Sequence, residues 1–295
     1  FDRVYIEDGI FHYIEEGSKE FSNITRIFKI DRSARNKSPE KTSFPHIKVD
    51  ELRINNYGFH YVDCRPPKAP VAPGCMDYTN IVVSKITGRF HNFEVVDGAI
   101  EADIKSLAAT EKCGIELRDL TGHIRFADRT IMVNDIYLKD NYTTLIANYL
   151  SFSAIAGKGS IKDFLRKIAL GVDFKETLLD LRTIGFFTPE LQGNSFKIYV
   201  TGEVTGPIAH LVSNKLSVHT PNGETVTDIK LSIKGIPNMR KAIFDVHIPK
   251  LRSNTKEIDK IVAHFTHNQT KNLTYPLLNK ANCTLNCNFL GTLYD

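Results

Sequence analysis

Apolar and polar residues alternate along most of this chain with a period near two, the pattern of extended strands that turn one face to a core. Residues 81–86, 90–96, 99–107, 114–120, 123–126, 130–138 and 144–152 are short alternating runs. Polar or glycine-bearing joints separate them: Asp97-Gly98, Lys112-Cys113-Gly114, Thr121-Gly122, Asp128-Arg129 and Asp140-Asn141. Runs this short with joints this polar predict an antiparallel meander. Strands resume at 195–204, 214–219, 226–234 and 241–247, and 284–290 alternates once more. Residues 21–30 also read as a strand, whereas the charged stretch 31–43, with Pro39, reads as a loop.

Helical spacing is rare. Ile161, Phe164, Leu165, Ile168 and Ala169 repeat at helical intervals, with Ser160 as N-cap and Gly171 where a left-handed terminal residue belongs. This predicts one short helix over 160–170. A shorter helical turn is expected in 178–184, and 256–267 fits a helix or a strand. These few apolar helical positions suit a plug or cap at a sheet end.

One segment recurs. Residues 1–15 overlay 49–63 without a gap: Asp2/Asp50, Ile6/Ile54 and the Phe-His-Tyr triplets at 11–13 and 59–61 are identical. Each copy reads as an alternating arm, a turn rich in Asp, Asn and Gly, and a second arm, hence a β-hairpin. Gly9 and Gly58 are expected at or beside positions of positive φ. A repeated hairpin points to a fold that grows by adding like units.

The alternation leaves the sheet with one apolar face, and removing it from water is worth about 25 cal/mol per Å². The helices are too few to cover it. A second sheet, curling of the sheet on itself, or a bound ligand are the three ways left open.

Composition narrows the function classes. The chain has 295 residues, 42% hydrophobic and 24% charged, and a net charge of +4 without a basic block, which argues against nucleic acid as a partner. No apolar run approaches the ~18 residues of a membrane-spanning helix. Starting in mid-pattern at Phe1 rather than with an initiating Met, the chain reads as a piece of something longer. Cys64 and Cys75 bracket a Pro-rich loop, where a disulfide and two free thiols are both open readings. No nucleotide-binding loop, nucleophile elbow or Cys-x-x-Cys pair is present, so no cofactor is expected. His264 and His267 are the one close histidine pair, without a third ligand nearby; His12 and His60 read as surface histidines of the repeat.

Four stretches carry a resemblance. GAIEADIKSLAATEKCGIEL at 98–117, continued by IYLKDNY at 136–142, and LRTIGFFTPEL at 181–191, leading into VTGEVTGPIAHL at 200–211, resemble the AsmA/TamB family in its Bacteroidetes-type form. The likeness covers 45–255; Cys113 and the Pro-rich loop depart from the family pattern. The resemblance implies a mostly β fold: an elongated, curled, taco-like sheet open along one side, with an apolar groove. It also implies a periplasmic segment of an inner-membrane-anchored protein. Such a segment carries phospholipids between membranes and works with a BamA-like outer-membrane barrel of the TamA type, anchor and barrel-docking parts lying outside this chain.

The expected unit is 1–295 as one elongated β-groove, or sub-units 1–155 and 190–295 joined by helical 156–189. Alternation puts Val4, Ile6, Phe11, Tyr13, Leu52, Ile54, Phe59, Tyr61, Phe93, Val95, Ile100, Ala102, Ile104, Ile115, Leu117, Ile124, Phe126, Ile131 and Val133 on the inward face. In the distal half the inward residues are Ile198, Val200, Val204, Leu231, Ile233, Phe244 and Val246. Ile104, Ile124 and Val204 are expected to line an open groove that tolerates a charge. The function expected is a lipid conduit, not an enzyme. The alternative is an exported β-sandwich or solenoid that binds protein or glycan; a polysaccharide-cleaving β-helix would need a cluster of acids on one face, which alternation does not place. About two dozen strands at ~4.8 Å would make a rod on the order of 100 Å.

Overall fold

The computed structural model describes residues 1–16, 21–22, 46–64, 70–127, 129–154, 168–236, 238, 240–266 and 282–292. Its strands are β1 (Arg3–Glu7), β2 (Ile10–Glu16), β3 (Phe21–Ser22), β4 (Ile47–Asp63), β5 (Asn80–Val96), β6 (Ala99–Glu111), β7 (Glu116–Leu117) and β8 (Asp119–Ala127). They continue with β9 (Thr130–Lys139), β10 (Thr144–Ala154), β11 (Ile168–Asp180), β12 (Lys197–Pro207), β13 (His210–His219), β14 (Val226–Lys234), β15 (Ile243–Asn254) and β16 (Asn282–Gly291). Helix α1 (Leu181–Gly185) and a 3-10 turn (Pro189–Leu191) join β11 to β12, and α2 (Thr255–Thr266) follows β15.

All sixteen strands belong to one sheet, open and curled, whose order is β16 back to β8, then β6, β5, β4, β2 and β3; β1 pairs β4 and β7 pairs β6. No second sheet lies against it among the described residues, so a sandwich is not the way its apolar face is covered. Fourteen strands lie on the path, which at ~4.8 Å each makes the sheet about 60 Å long. That is shorter than the sequence expectation because the strands are longer. β4 and β5 each run 17 residues, and Thr121-Gly122, read as a joint, lies inside β8.

The repeat is real, but it is not a pair of hairpins. β4 runs straight through its copy, and β1 and β2 lie parallel to it in the register of the sequence overlay: Val4 beside Leu52, Ile6 beside Ile54, Phe11 beside Phe59, Tyr13 beside Tyr61. The turn residues bend each rung without reversing it. Asp8 (φ 54) and Asn56 (φ 49) take the left-handed conformation that their short polar side chains tolerate, and Asn56 Nδ2 donates to Asp8 Oδ1 at 2.7 Å. The positive φ therefore sits beside Gly9 and two residues before Gly58, not on the glycines. Phe11 stacks on Phe59 with centroids 6.1 Å apart, and Tyr13 on Tyr61 at 5.8 Å.

The predicted helix over 160–170 is corrected where it is described. Ile168, Ala169 and Leu170 open β11, and Gly171 sits in the strand opposite Ser151 and Thr205; 160–167 lie outside the described residues. Two neighbours to pair with outweigh the local helical spacing. Within the stretch expected to be helical, 156–189, residues 168–180 are thus the strand that pairs β10 on one side and β12 on the other. The turn expected in 178–184 starts at Leu181, with the Asp180 carboxylate capping the Arg182 amide. The segment expected to be helix or strand over 256–267 is a helix as far as Thr266, 267 lying outside the described residues, and Asn254 Oδ1 accepts from the Glu257 amide at 2.9 Å at its start.

Curling has an identifiable cause. Register shifts interrupt most strand pairs near their middle, among them β4/β5, β8/β9, β11/β12, β12/β13, β13/β14 and β15/β16. Each bulge bends its strand and increases local twist. At one of them Gly202 has φ 122, and a Cβ there would lie 2.5 Å from the Lys215 carbonyl oxygen, so only glycine fits.

Candidate functional site

Residues directly opposite each other in a ladder share a face, so the register traces the apolar surface from strand to strand. One row runs Ile47, Val95, Ile100, Phe126, Ile131, Phe152, Leu170. Beside it, Ala102, Ile124, Val133, Leu150, Val172 and Val204 oppose one another in turn, and Val49 opposes Phe93. A third row joins Val4, Leu52, Phe90 and Ile104. Distally, Leu179 faces Ile198, Val200 faces Val218, Leu231 faces Val246 and Ile233 faces Phe244. Leu117 reaches the sheet through the two-residue β7, opposite Ala109, whereas Ile115 lies in the turn before it.

Alternation missed four members of the buried cluster: Ile136, Ala147, Val172 and Leu216. Asp135 at φ 48 shifts the pattern by one residue ahead of Ile136, and Val172 follows the segment read as helix. An odd step in an otherwise period-two run is the signal that would have found Ile136.

The trough has a floor and two unlike rims. Ala102, Ile104, Val133, Val172, Val200 and Val204 are the floor, all under 10% exposed. Ile104 and Val204, expected in an open groove, are therefore buried, while Ile124 is half-buried. Along the rim at Asp97-Gly98 the apolar row stays open: Ile47 is 36% exposed, Phe126 41%, Ile131 42% and Phe152 36%.

The opposite rim, at Asp180, is sealed by polar groups. Among the described residues every buried polar side chain except Thr177 and Ser213 belongs to it or to the strand ends it joins. Asp140 Oδ1 accepts from the Tyr142 and Thr143 amides at 2.6 and 2.7 Å, and Thr183 Oγ1 donates to the same carboxylate. Thr143 Oγ1 accepts from the Asp180 amide at 3.0 Å. Glu111 accepts from the amides of Val82 and Cys113, and Thr225 and Ser253 hydroxyls meet at 2.6 Å. Each strand end thus supplies the acceptor that its turn's N–H groups need. Asp180 is fully buried and holds Arg182 at 2.6 Å and Lys197 at 3.7 Å. Burial pushes its carboxyl up, yet the Arg182 side chain and amide, with Lys197, keep it below the usual carboxylate range.

The described end of the Pro-rich loop, 70–76, and the β11–β12 connection close over this rim. The Met76 amide donates to Phe186 O at 2.8 Å, Gln192 Nε2 to Pro73 O at 2.6 Å, and Cys75 Sγ lies 3.4 Å from Gly185 O. Phe186 stacks on Tyr142, whose other neighbour is the Arg182 guanidinium at 4.1 Å from the ring centroid. Cys64 and Cys75 are free thiols. Burial raises the Cys75 thiol, pushes Cys113 up to about 11 with help from Glu111, and pushes Tyr78 up to about 12. Thiols held protonated in this way are not nucleophiles. No group of three metal-ligating side chains exists among the described residues.

The connection also plugs the trough distally. Leu191 packs with Ala242 and Phe244, and Ile184, Ile233, Ile236 and Val246 join them. Ile233, Phe244 and Val246, expected to line the groove, are thus covered by the chain's own plug. Among the described residues, the part left uncovered lies on β4 to β10. A polar cleft of about 540 Å³ separates the plug from α2, lined by Glu190, Asn194, Lys260 and His264; Lys260 is paired with Glu257 and Glu190 with Arg240.

No family model matches the chain, and no curated protein or solved structure is significantly similar to it. Among the described residues no helix is long and apolar enough to cross a membrane.

Proposed function

We propose that this chain is a segment of a lipid conduit, whose trough carries the acyl chains of phospholipids while their headgroups stay in water beyond the Gly98 rim. The observation that carries this reading is the asymmetry of the rims. Ile47, Phe126, Ile131 and Phe152 stay a third or more exposed above a buried floor, in an apolar row that the half-buried Val95 and Ile100 complete. An apolar row of this length facing water is costly unless something apolar lies along it. The opposite rim, sealed by Asp140, Asp180 and their partners, offers no such contact. The resemblance of 98–142 and 181–211 to the AsmA/TamB family supports the same reading. On this reading the segment would work in the periplasm, between an inner-membrane anchor and a BamA-like outer-membrane barrel of the TamA type.

The test is site-specific photo-crosslinking in cells from Phe126, Ile131 and Phe152, with Arg125 and Met132 on the other face as controls, followed by mass spectrometry of the adducts. Phospholipid adducts from the rim row and none from the controls are expected. Protein adducts alone, or none, would refute the reading and favour a binding module, for which the stacked parallel rungs of β1–β2 on β4 are the structural argument.

A further inference from the structure

We propose that the outer edge of β1 is a docking edge for one further strand of the repeat carried by 1–15 and 49–63, added parallel and in the same register. The precedent lies inside the molecule. The edge of β4 over Glu51–Asn55 is occupied by Arg3–Glu7, its own counterpart in the repeat, in parallel and 48 positions away in sequence. β1, being a copy of that edge, offers the next strand the same surface.

Hydrogen-bonding parity shows which groups are on offer. The Glu51 amide donates to Asp2 O, and the Asp8 amide donates to Asn55 O. In a parallel ladder alternate residues bond to alternate sides, so the even positions of β1 face β4. The N–H and C=O groups of Arg3, Tyr5 and Glu7 point away from it, and among the described residues β1 pairs with no other strand. Side chains agree: Tyr5 is 54% and Ile6 38% exposed. Existing cross-rung contacts show what the next rung would repeat, with Glu51 3.4 Å from Arg3 and the Arg53 guanidinium 5.5 Å from the Tyr5 ring centroid. β1 is short and carries Arg3 and Glu7, but it has no proline, no lysine and no bulge within its five residues to block a further strand. The occupant is accordingly a strand with the repeat's own alternation: an acid or Arg, then Val or Leu, then Arg or Tyr, then Ile. This inference does not depend on what the trough carries.

The experiment adds a synthetic peptide of the sequence 49–63 to the full chain and follows amide hydrogen exchange, with a scrambled peptide alongside. Exchange at Arg3, Tyr5 and Glu7 should slow about tenfold or more with the repeat peptide, and not with the scrambled one. A paramagnetic label on the peptide's N-terminus should broaden signals near Asp2, not Glu7, because the pairing is parallel. Tyr5→Pro deletes an outward N–H only and should abolish the protection at unchanged melting temperature. Independently of how that variant folds, a peptide N-methylated along one edge should fail to protect the wild-type chain. Absence of protection, equal protection by the scrambled peptide, broadening near Glu7, or self-association without peptide that Tyr5→Pro abolishes would each overturn the proposal.

Discussion

A charge placed on the floor and the same charge placed on the open rim should have opposite consequences, and the structure gives the sizes. Ile104 is 3% exposed, opposite Phe90 and Gly122. Ile104→Asp forfeits the burial of a whole aliphatic side chain, about 1.5–3 kcal/mol. It also leaves an unpaired carboxylate in an apolar floor, worth several kcal/mol more. The sum is a large part of the ~5–15 kcal/mol that holds a domain together, so Ile104→Asp should not fold stably. Phe126 is 41% exposed at the rim. Phe126→Asp loses about 1–2 kcal/mol of partial burial, and its carboxylate reaches water at once. In a chain of this size that shifts the melting temperature by only a few degrees, at about 2 °C per kcal/mol. Circular-dichroism melting of both variants, with quantitation of lipid copurifying with Phe126→Asp, tests both halves. Folded Phe126→Asp with depleted lipid, next to unfolded Ile104→Asp, is the expected outcome. Equal melting temperatures would refute the division into floor and rim. A folded Phe126→Asp with undiminished lipid would refute the rim as the place where acyl chains lie.

Two further outcomes follow from the sealed rim and the bulges. Because Asp180 is held below its unfolded value, its stabilisation is present at neutral pH and fades as pH falls through the folded-state value. Asp180→Asn should therefore cost about 1–3 kcal/mol at pH 7 and flatten the acid limb of the pH–stability curve, while an unchanged acid limb in urea melts would contradict the assignment. Gly202→Ala forces a Cβ to 2.5 Å from the Lys215 carbonyl oxygen at φ 122; a loss of more than ~1 kcal/mol is expected, and a variant as stable as wild type would show that this bulge does not require glycine.

Much of the fold was legible because the period of alternation is a local property. Ile100, Ala102, Ile104 or Ile131, Val133 point to one side of a strand whatever the strand pairs with, and the inward residues on β6, β8 and β9 do oppose one another in the ladder. The repeat was legible for the same reason. How the copies meet was not: a turn of Asp, Asn and Gly has the same chemistry whether it reverses a chain or kinks it. Only the pairing of Phe11 with Phe59 shows that it kinks here. At 168–171 the local helical spacing misled, since strand formation there depends on Ser151 and Thr205, partners distant in sequence. The candidate site divided the same way. Which residues are apolar and inward came from alternation. Which are buried and which stay open came from bulges that curl the sheet, and from a plug, Ile184 to Leu191, laid across Phe244.

The sequence by itself determined a mostly β chain with one apolar face, few helices and a repeated segment, because side-chain direction in a strand is fixed residue by residue. The tertiary structure alone decided that one rim is sealed by Asp140 and Asp180 while the other leaves Phe126 and Ile131 in reach of water. That asymmetry belongs to no single strand. It arises where turns distant in sequence converge, 70–76 with 185–192 and 140–143 with 180–183, and the burial of any one residue there is set by neighbours its own sequence window does not contain.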